Sequence, residues 1–313
     1  MITRMMLGAL AALCLSALPA AAQAPAEPLP FTLKTVGPGV YAAIGGPKAG
    51  SNAGFVVGDD SVLVIDSFFS ADAARALLGE IRRITPKPIR YLVNTHYHVD
   101  HVSGDAVFKA AGAEIIADRN VPGWIHGENI HLLGGDKIQP AAKAQVDSLI
   151  PPDRTVDKTT ILVLGKRRIE VRPMKGHTGG DLVVGVPDAK VLFAGDILWN
   201  HTGPTTIDGR ILIWTTDLAQ LETLTGTTFI PGHGEVATAK DVDDLKVLFT
   251  DLARVTAEGR KAGLSGDALV AATAPKLIAL HPDWPRIERS APVLAAQMDQ
   301  ELSGTKRVPI PAP

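Results

Sequence analysis

Asn94-Thr95-His96-Tyr97-His98-Val99-Asp100-His101 puts three histidines and an aspartate within six residues. It leaves a stretch, Ile89 to Thr95, whose apolar and β-branched content predicts a strand. In extended backbone, residues two apart share a side, so His96 and His98 can present their imidazoles to one ion. The chain must then turn before a helix predicted from about Gly104. That turn can aim Asp100 and His101 at a second point close by. Neutral imidazole is the commonest metal ligand, and carboxylate with imidazole suits zinc. A lone histidine reads as a satisfied polar residue; this density of donors does not.

Four donors in one loop do not make two catalytic sites, and three later loops each offer one more. His177 lies in Gly176-His177-Thr178-Gly179, Asp196 in Phe193-Ala194-Gly195-Asp196, and His233 in Pro231-Gly232-His233-Gly234. Each follows or ends a predicted strand, and each donor stands beside a glycine, which lets backbone pack tightly around an ion.

Upstream, Leu63-Val64-Ile65-Asp66-Ser67 ends an early strand in an aspartate. With Asp66, the 96–101 motif, His177, Asp196 and His233 in this order, the sequence resembles the metallo-β-lactamase superfamily over roughly Val40 to Gly234. The resemblance implies an α/β fold, a four-layer αββα sandwich with the site at one edge of its two sheets. It implies a first zinc held by His96, His98 and His177, a second by Asp100, His101 and His233, and Asp196 bridging the two. Asp66 is implied as a carboxylate that orients ligand loops; on sequence alone a turn former at a strand end reads equally well.

Two zinc ions lower the pKa of a shared water from about 15.7 toward neutrality, which suits hydrolysis of a carbonyl or phosphoryl centre. Asp100 is the expected catalytic residue, orienting the water or carrying its proton. Tyr97 and His201 are candidate donors to the developing charge, with Tyr97 also read as packing beside the loop. His98 stands where di-iron redox relatives typically carry glutamate, so hydrolysis is expected. Relatives with a cysteine ligand are excluded, and the lysine that follows that cysteine has no counterpart in Ile197-Leu198-Trp199-Asn200. A β-lactam carboxylate would need another partner, and Asn200, His201, Thr205 and Arg210 are the candidates. Arg210 is preferred because its planar fork binds carboxylates bidentately. The expected function is hydrolysis of cyclic amides (β-lactams). A lactonase or other ester or thioester hydrolase is one alternative, and a non-catalytic accessory protein that keeps the metal site is another. His126, His131 and His281 are read as ordinary surface or loop residues.

The 313 residues are 46% hydrophobic and 20% charged, with a net charge of −2. That allows a large core and gives no basic surplus for a nucleic-acid partner. A small-molecule substrate is expected. Arg4, the apolar run Leu7 to Leu18 and Ala20-Ala21-Ala22 predict a signal peptide over 1–22, too short to span a bilayer comfortably. The single cysteine, Cys14, lies inside it, so the mature chain has no thiol for disulfides, catalysis or metal. A periplasmic or secreted protein with no stable membrane association is expected. Residues 23–30 read as a linker, 31–238 as the metal-binding domain and 239–313 as a helical extension packed on the same domain.

Within the domain, strands are predicted at Val40 to Ile44, Gly54 to Gly58 and Ser61 to Asp66. A helix capped by Ser70 is predicted over Ala71 to Ile84, stopped by Pro86 and Pro88. A strand at Glu114 to Ala117 follows. Residues 119–152 read as a loop with short helices, an active-site wall or lid. Further strands are predicted at Ile161 to Val171, Leu182 to Val186, Val191 to Ala194 and Thr228 to Pro231, with a helix near Asp217 to Leu224.

Overall fold

Alternation along β4 (Val62–Ile65) shows how the layers form. Leu63 and Ile65 enter the core between two sheets, whereas Val62 and Val64 pack under the helix that follows. Both faces of this strand are buried, so it reads as an unbroken apolar run. The structure, a computed structural model, describes residues 28–224 and 227–311. The expected signal peptide and most of the expected linker lie outside the described residues.

The first sheet runs in sequence order: β1 (Phe31–Gly37), β2 (Val40–Gly45), β3 (Ala53–Val57), β4, β5 (Ile89–Val93), β6 (Glu114–Asp118) and β7 (Arg154–Val156). Pairing is antiparallel up to β4 and parallel from β4 to β7. The second sheet is β8 (Thr160–Leu164), β9 (Arg167–Met174), β10 (Asp181–Val186), β11 (Val191–Trp199) and β12 (Thr228–His233). Only its β11–β12 pair is parallel.

The sheets face each other through Val40, Ile65, Val93, Val171, Leu182 and Phe193. Outside the first sheet lie α1 (Ala71–Ile84), α2 (Val99–Val102) and α3 (Asp105–Ala110). In α1 the buried Ala73, Ala74, Leu77, Leu78 and Ile81 make one apolar stripe, and the Ser70 hydroxyl accepts from the Ala73 N–H at 3.2 Å. The wall from 119 to 152 holds α4 (Val121–Trp124), α5 (Gly127–Leu132) and α6 (Pro140–Asp147).

Outside the second sheet lie α7 (Ile211–Thr223), α8 (Ala239–Lys261), α9 (Gly266–Leu280) and α10 (Ile287–Ser303). Trp214, Leu218, Phe249, Leu277 and Leu294 of these helices share one core with Leu192 and Ala194 of β11. The result is the αββα sandwich, with the later helices added to its outer layer.

Three local readings change. The strand expected over Ile161 to Val171 is a hairpin turned at Gly165, whose φ of +69° suits a residue without Cβ. The expected ends at Ala194 and Pro231 fall short, because β11 runs to Trp199 and β12 to His233. α7 starts at Ile211, six residues earlier than read, since its first turn is almost wholly apolar and lacks an amphipathic signal.

Candidate metal centre

His96 and His98 follow β5 through a bend at Thr95 and His96, and the single turn of α2, closed by His101 N–H donating to the His98 carbonyl (2.9 Å), redirects Asp100 and His101. The β9–β10 turn presents His177, whose N–H donates to Asp181 Oδ2 at 3.1 Å. Asp196 follows Gly195, which has φ +51° and shifts the β11–β12 register. His233 closes β12.

The seven donors form two groups. His98 Nδ1 lies 3.1 Å from His177 Nε2. Asp196 Oδ2 lies 3.3 Å from His177 Nε2 and 3.8 Å from His96 Nε2. Its other oxygen, Oδ1, lies 3.1 Å from His101 Nε2 and 3.5 Å from His233 Nε2. Asp100 Oδ2 completes the second group, 3.2 Å from His233 Nε2. One carboxylate thus turns one oxygen to each triad.

The donor set fits a cation in each group. His96 Nε2, His101 Nε2 and Asp196 Oδ1 are buried and have no hydrogen-bond partner among the described residues. Buried polar atoms left so are costly unless a cation satisfies them. Burial, then the charge of His101, pushes His96 well below the usual imidazole range, and burial pushes His177 down to about 3. Each ring is therefore neutral, with one nitrogen free to offer a lone pair. Burial alone would raise Asp196, but His233 and His101 hold it well below the usual carboxylate range. Volume does not mark this site: a cavity of about 610 Å3 between α1 and α3 touches none of the seven donors.

Two aspartates hold imidazoles from behind. Asp66 accepts from the Thr95 N–H (2.7 Å) and hydroxyl (2.8 Å), and its Oδ2 lies 2.8 Å from His101 Nδ1. Asp208 Oδ2 accepts from the Tyr97 hydroxyl (2.6 Å) and lies 3.1 Å from His98 Nε2. Each leaves the opposite ring nitrogen facing the donor cluster. Sequence reading missed Asp208, because Asp208-Gly209 looks like any turn. It also missed Asn52, whose side chain donates to the Pro231 and Gly234 carbonyls beside His233 (2.8 and 2.9 Å). Asn129 of the 119–152 wall was missed as well; it accepts from Val99 N–H and donates to the Tyr97 carbonyl.

The structure engages or sets apart each of the five candidate substrate contacts. Tyr97 is fully buried, in keeping with its reading as a packing residue, and its hydroxyl donates to Asp208 beside His98. Asn200 donates to the Glu235 carbonyl and pins the His233 turn. His201 pairs with Asp241 (3.3 Å) and Asp244 (3.6 Å) of α8. Arg210 lines a cavity of about 440 Å3 with Asp118, Lys175 and Asp208, on the Asp208 side of His98, and none of the seven donors lines it. Thr205 borders a different cavity, with Arg286 and Arg289. The most open donors are Asp100, whose side chain is 25% exposed, and His233, at 17%. Beside them Gly50 packs against Asp100 and Phe69, and Phe69 is exposed.

An αββα sandwich with clustered histidines and aspartates at one edge defines a metal-binding hydrolase. The chain belongs to the metallo-beta-lactamase superfamily, whose sequence profile matches residues 46–233. It is 28% identical over 236 residues to a hydroxyacylglutathione hydrolase from Brucella anthropi, covering 72% of this chain and 81% of that one. It is 22% identical over 216 residues to a linear primary-alkylsulfatase from Pseudomonas sp., covering 58% of this chain and 41% of that protein. Among solved structures, a metallo-beta-lactamase from Pontibacter korlensis is similar at TM-score 0.58 and 19% identity, covering 70% of this chain and 99% of the other. A stereoselective inverting sec-alkylsulfatase from Pseudomonas sp. is similar at TM-score 0.64 and 20% identity, covering 88% of this chain. The chain spans about half of that enzyme and about two fifths of the linear primary-alkylsulfatase.

Proposed function

We propose that this chain is an exported two-zinc hydrolase of small molecules joined by ester-type bonds, with thioesters and lactones ahead of β-lactams. The observation that carries this is the Asp196 carboxylate, divided between the triads with Oδ1 toward one and Oδ2 toward the other. His96, His98 and His177 would hold one ion, Asp100, His101 and His233 the other. With both in place, a shared water would lose its proton near neutral pH. Asp66 and Asp208 keep the imidazoles aimed. Asp100, the most open carboxylate of the cluster, is placed to take a proton from a reactant at its other oxygen, Oδ1. Phe69 offers an apolar rim for an acyl group.

Two observations favour esters over cyclic amides. Arg210, the preferred partner of a β-lactam carboxylate, lines a cavity that none of the seven donors borders. The relative alike over most of both chains is named for hydrolysis of an acylated glutathione. Export rests on Arg4, Leu7 to Leu18 and the alanines at 20–22; a purified mature chain should begin at Gln23. The decisive assay loads the protein with zinc, measures metal content, and compares an acyl thioester, a lactone and a chromogenic β-lactam. Thioester or lactone turnover well above that of the β-lactam is expected. Preference for the β-lactam would reverse the assignment, and full metal content with no turnover of any of the three would end it.

A further inference from the structure

The loop from 200 to 210, which carries Asp208, has no ladder of its own: among the described residues, no backbone N–H of 201–209 donates to a backbone carbonyl. Its shape is imposed from two sides. On the inner side Asp208 meets Tyr97 and His98, and Arg210 N–H donates to the Gly176 carbonyl at 2.9 Å, next to His177. On the outer side the contacts come from the last helices and the segment after them. Trp284 Nε1 donates to the Thr202 carbonyl at 3.1 Å. Lys306 Nζ donates to the Thr206 carbonyl at 2.5 Å. The Glu301 carboxylate accepts from both Ile211 N–H (2.7 Å) and Leu212 N–H (3.1 Å). α7 has no cap of its own at Arg210, so Glu301 supplies the missing acceptors, and a carboxylate suits that positive end.

The segment beyond Lys306 is fastened across the gap. Arg307 pairs with Glu128 of α5 at 2.7 Å, Trp124 Nε1 donates to the Ile310 carbonyl at 2.7 Å, and Pro309 is buried. The same wall carries Asn129, which grips the backbone of Tyr97 and Val99. One short stretch therefore ties together the two walls between which Asp208, Tyr97 and His98 sit.

We infer that Glu301 and Lys306 are positioning residues of the metal centre, clamping the 200–210 loop so that Asp208 holds His98 in its ligating orientation. The inference rests on the reading of the two triads as metal sites. It makes the affinity of one triad depend on residues that touch neither metal nor substrate. The other triad, held by Asp66 just after β4, meets this loop, among the described residues, only at Asn200, which neither Glu301 nor Lys306 touches.

The test measures zinc affinity by competition with a chromophoric chelator. A His233→Ala background isolates the His96–His98–His177 triad, and a His98→Ala background isolates the other. Asp208→Asn serves as reference, with a loss of about 10-fold to 100-fold at the first triad, the usual effect of removing a ligand's hydrogen-bond partner. Lys306→Met and Glu301→Gln should weaken the first triad in the same direction, by no more than that reference, and leave the second unchanged. Lys306→Arg should restore the wild-type value, and the metal-free melting temperature should stay near wild type. Unaltered affinity in both variants overturns the clamp, as does equal weakening of both triads together with a fall in metal-free stability. A parent protein that takes up no metal removes the underlying reading and the clamp with it.

Discussion

His101 Nδ1 lies 2.8 Å from Asp66 Oδ2, and Asp66 makes this contact from a left-handed backbone conformation with φ +56°. Non-glycine residues adopt that region at a cost of order 1–3 kcal/mol, so the surroundings must enforce it. The three hydrogen bonds to Thr95 and His101 do so. Asp66→Ala should lower zinc affinity at the Asp100–His101–His233 triad by about 10-fold to 100-fold, read by chelator competition. Unchanged affinity would make Asp66 a turn former only.

Gly232 stands where a side chain would enter the donor cluster. A Cβ there would lie 1.8 Å from Asp196 Oδ1 and 2.9 Å from Asp196 N. Gly232→Ala should displace the shared carboxylate, remove most bound zinc and abolish turnover, while far-UV circular dichroism stays native. A fully metallated, active variant would mean that Asp196 does not sit between the triads.

His98→Ala removes one of three imidazoles from the first triad and should cost nearly all turnover. His281→Ala removes a part-buried contact with Asp251 (3.2 Å) that involves none of the seven donors. Its activity should match the parent. Equal loss in both variants would contradict the assignment of donors.

Burial pushes the Asp105 carboxyl up to about 8, although Ser67 and Asn94 donate to its Oδ1. Its Oδ2 has no partner among the described residues. In the folded protein it is neutral well above the pH at which it ionises in the unfolded chain. The unfolded state therefore binds fewer protons, and this group's contribution is complete below about pH 4 and lost as pH rises toward 8. Asp105→Asn should flatten that decline, so chemical denaturation at pH 5 and pH 9 should show the variant gaining on the parent at the higher pH. A parallel decline in both proteins would show that Asp105 is ionised when folded.

Arg210→Ala offers a direct check on the expected carboxylate contact. Because Arg210 lines the Asp208-side cavity, KM for an anionic β-lactam and for an uncharged lactone should change alike. A rise confined to the anionic substrate would return Arg210 to the carboxylate clamp.

The donors could be read from the sequence because metal chemistry restricts residue type and spacing severely. Three histidines and an aspartate in six residues crowd together donors that, without a cation, would be costly to bury. Asp208 could not be read, because nothing local distinguishes it: it acts only through contacts made across 110 and 111 positions of chain, with His98 and Tyr97. Asn129 and Asn52 are silent for the same reason, each bonding to backbone brought near by the fold. Tyr97, placed between two ligands, invited a role in chemistry. In the structure the alternation that turns His96 and His98 inward turns Tyr97 away from them into the apolar cluster with Trp124. α1 was legible to the residue, since a serine cap, an amphipathic stripe and a following proline all agree there.

The donors divide by sheet. Those from 96 to 101 hang from the first, and His177, Asp196 and His233 from the second. An ion in either group is therefore a rivet between halves of the chain that otherwise meet mainly through packed side chains. At a thousandfold over its dissociation constant, an ion held there would add about 4 kcal/mol to the folded state, comparable with the whole margin of many domains. Metal scarcity would thus be felt twice, first as lost turnover and then as faster clearance of the loosened chain by proteases. The abundance of this protein would then be a gauge of metal supply.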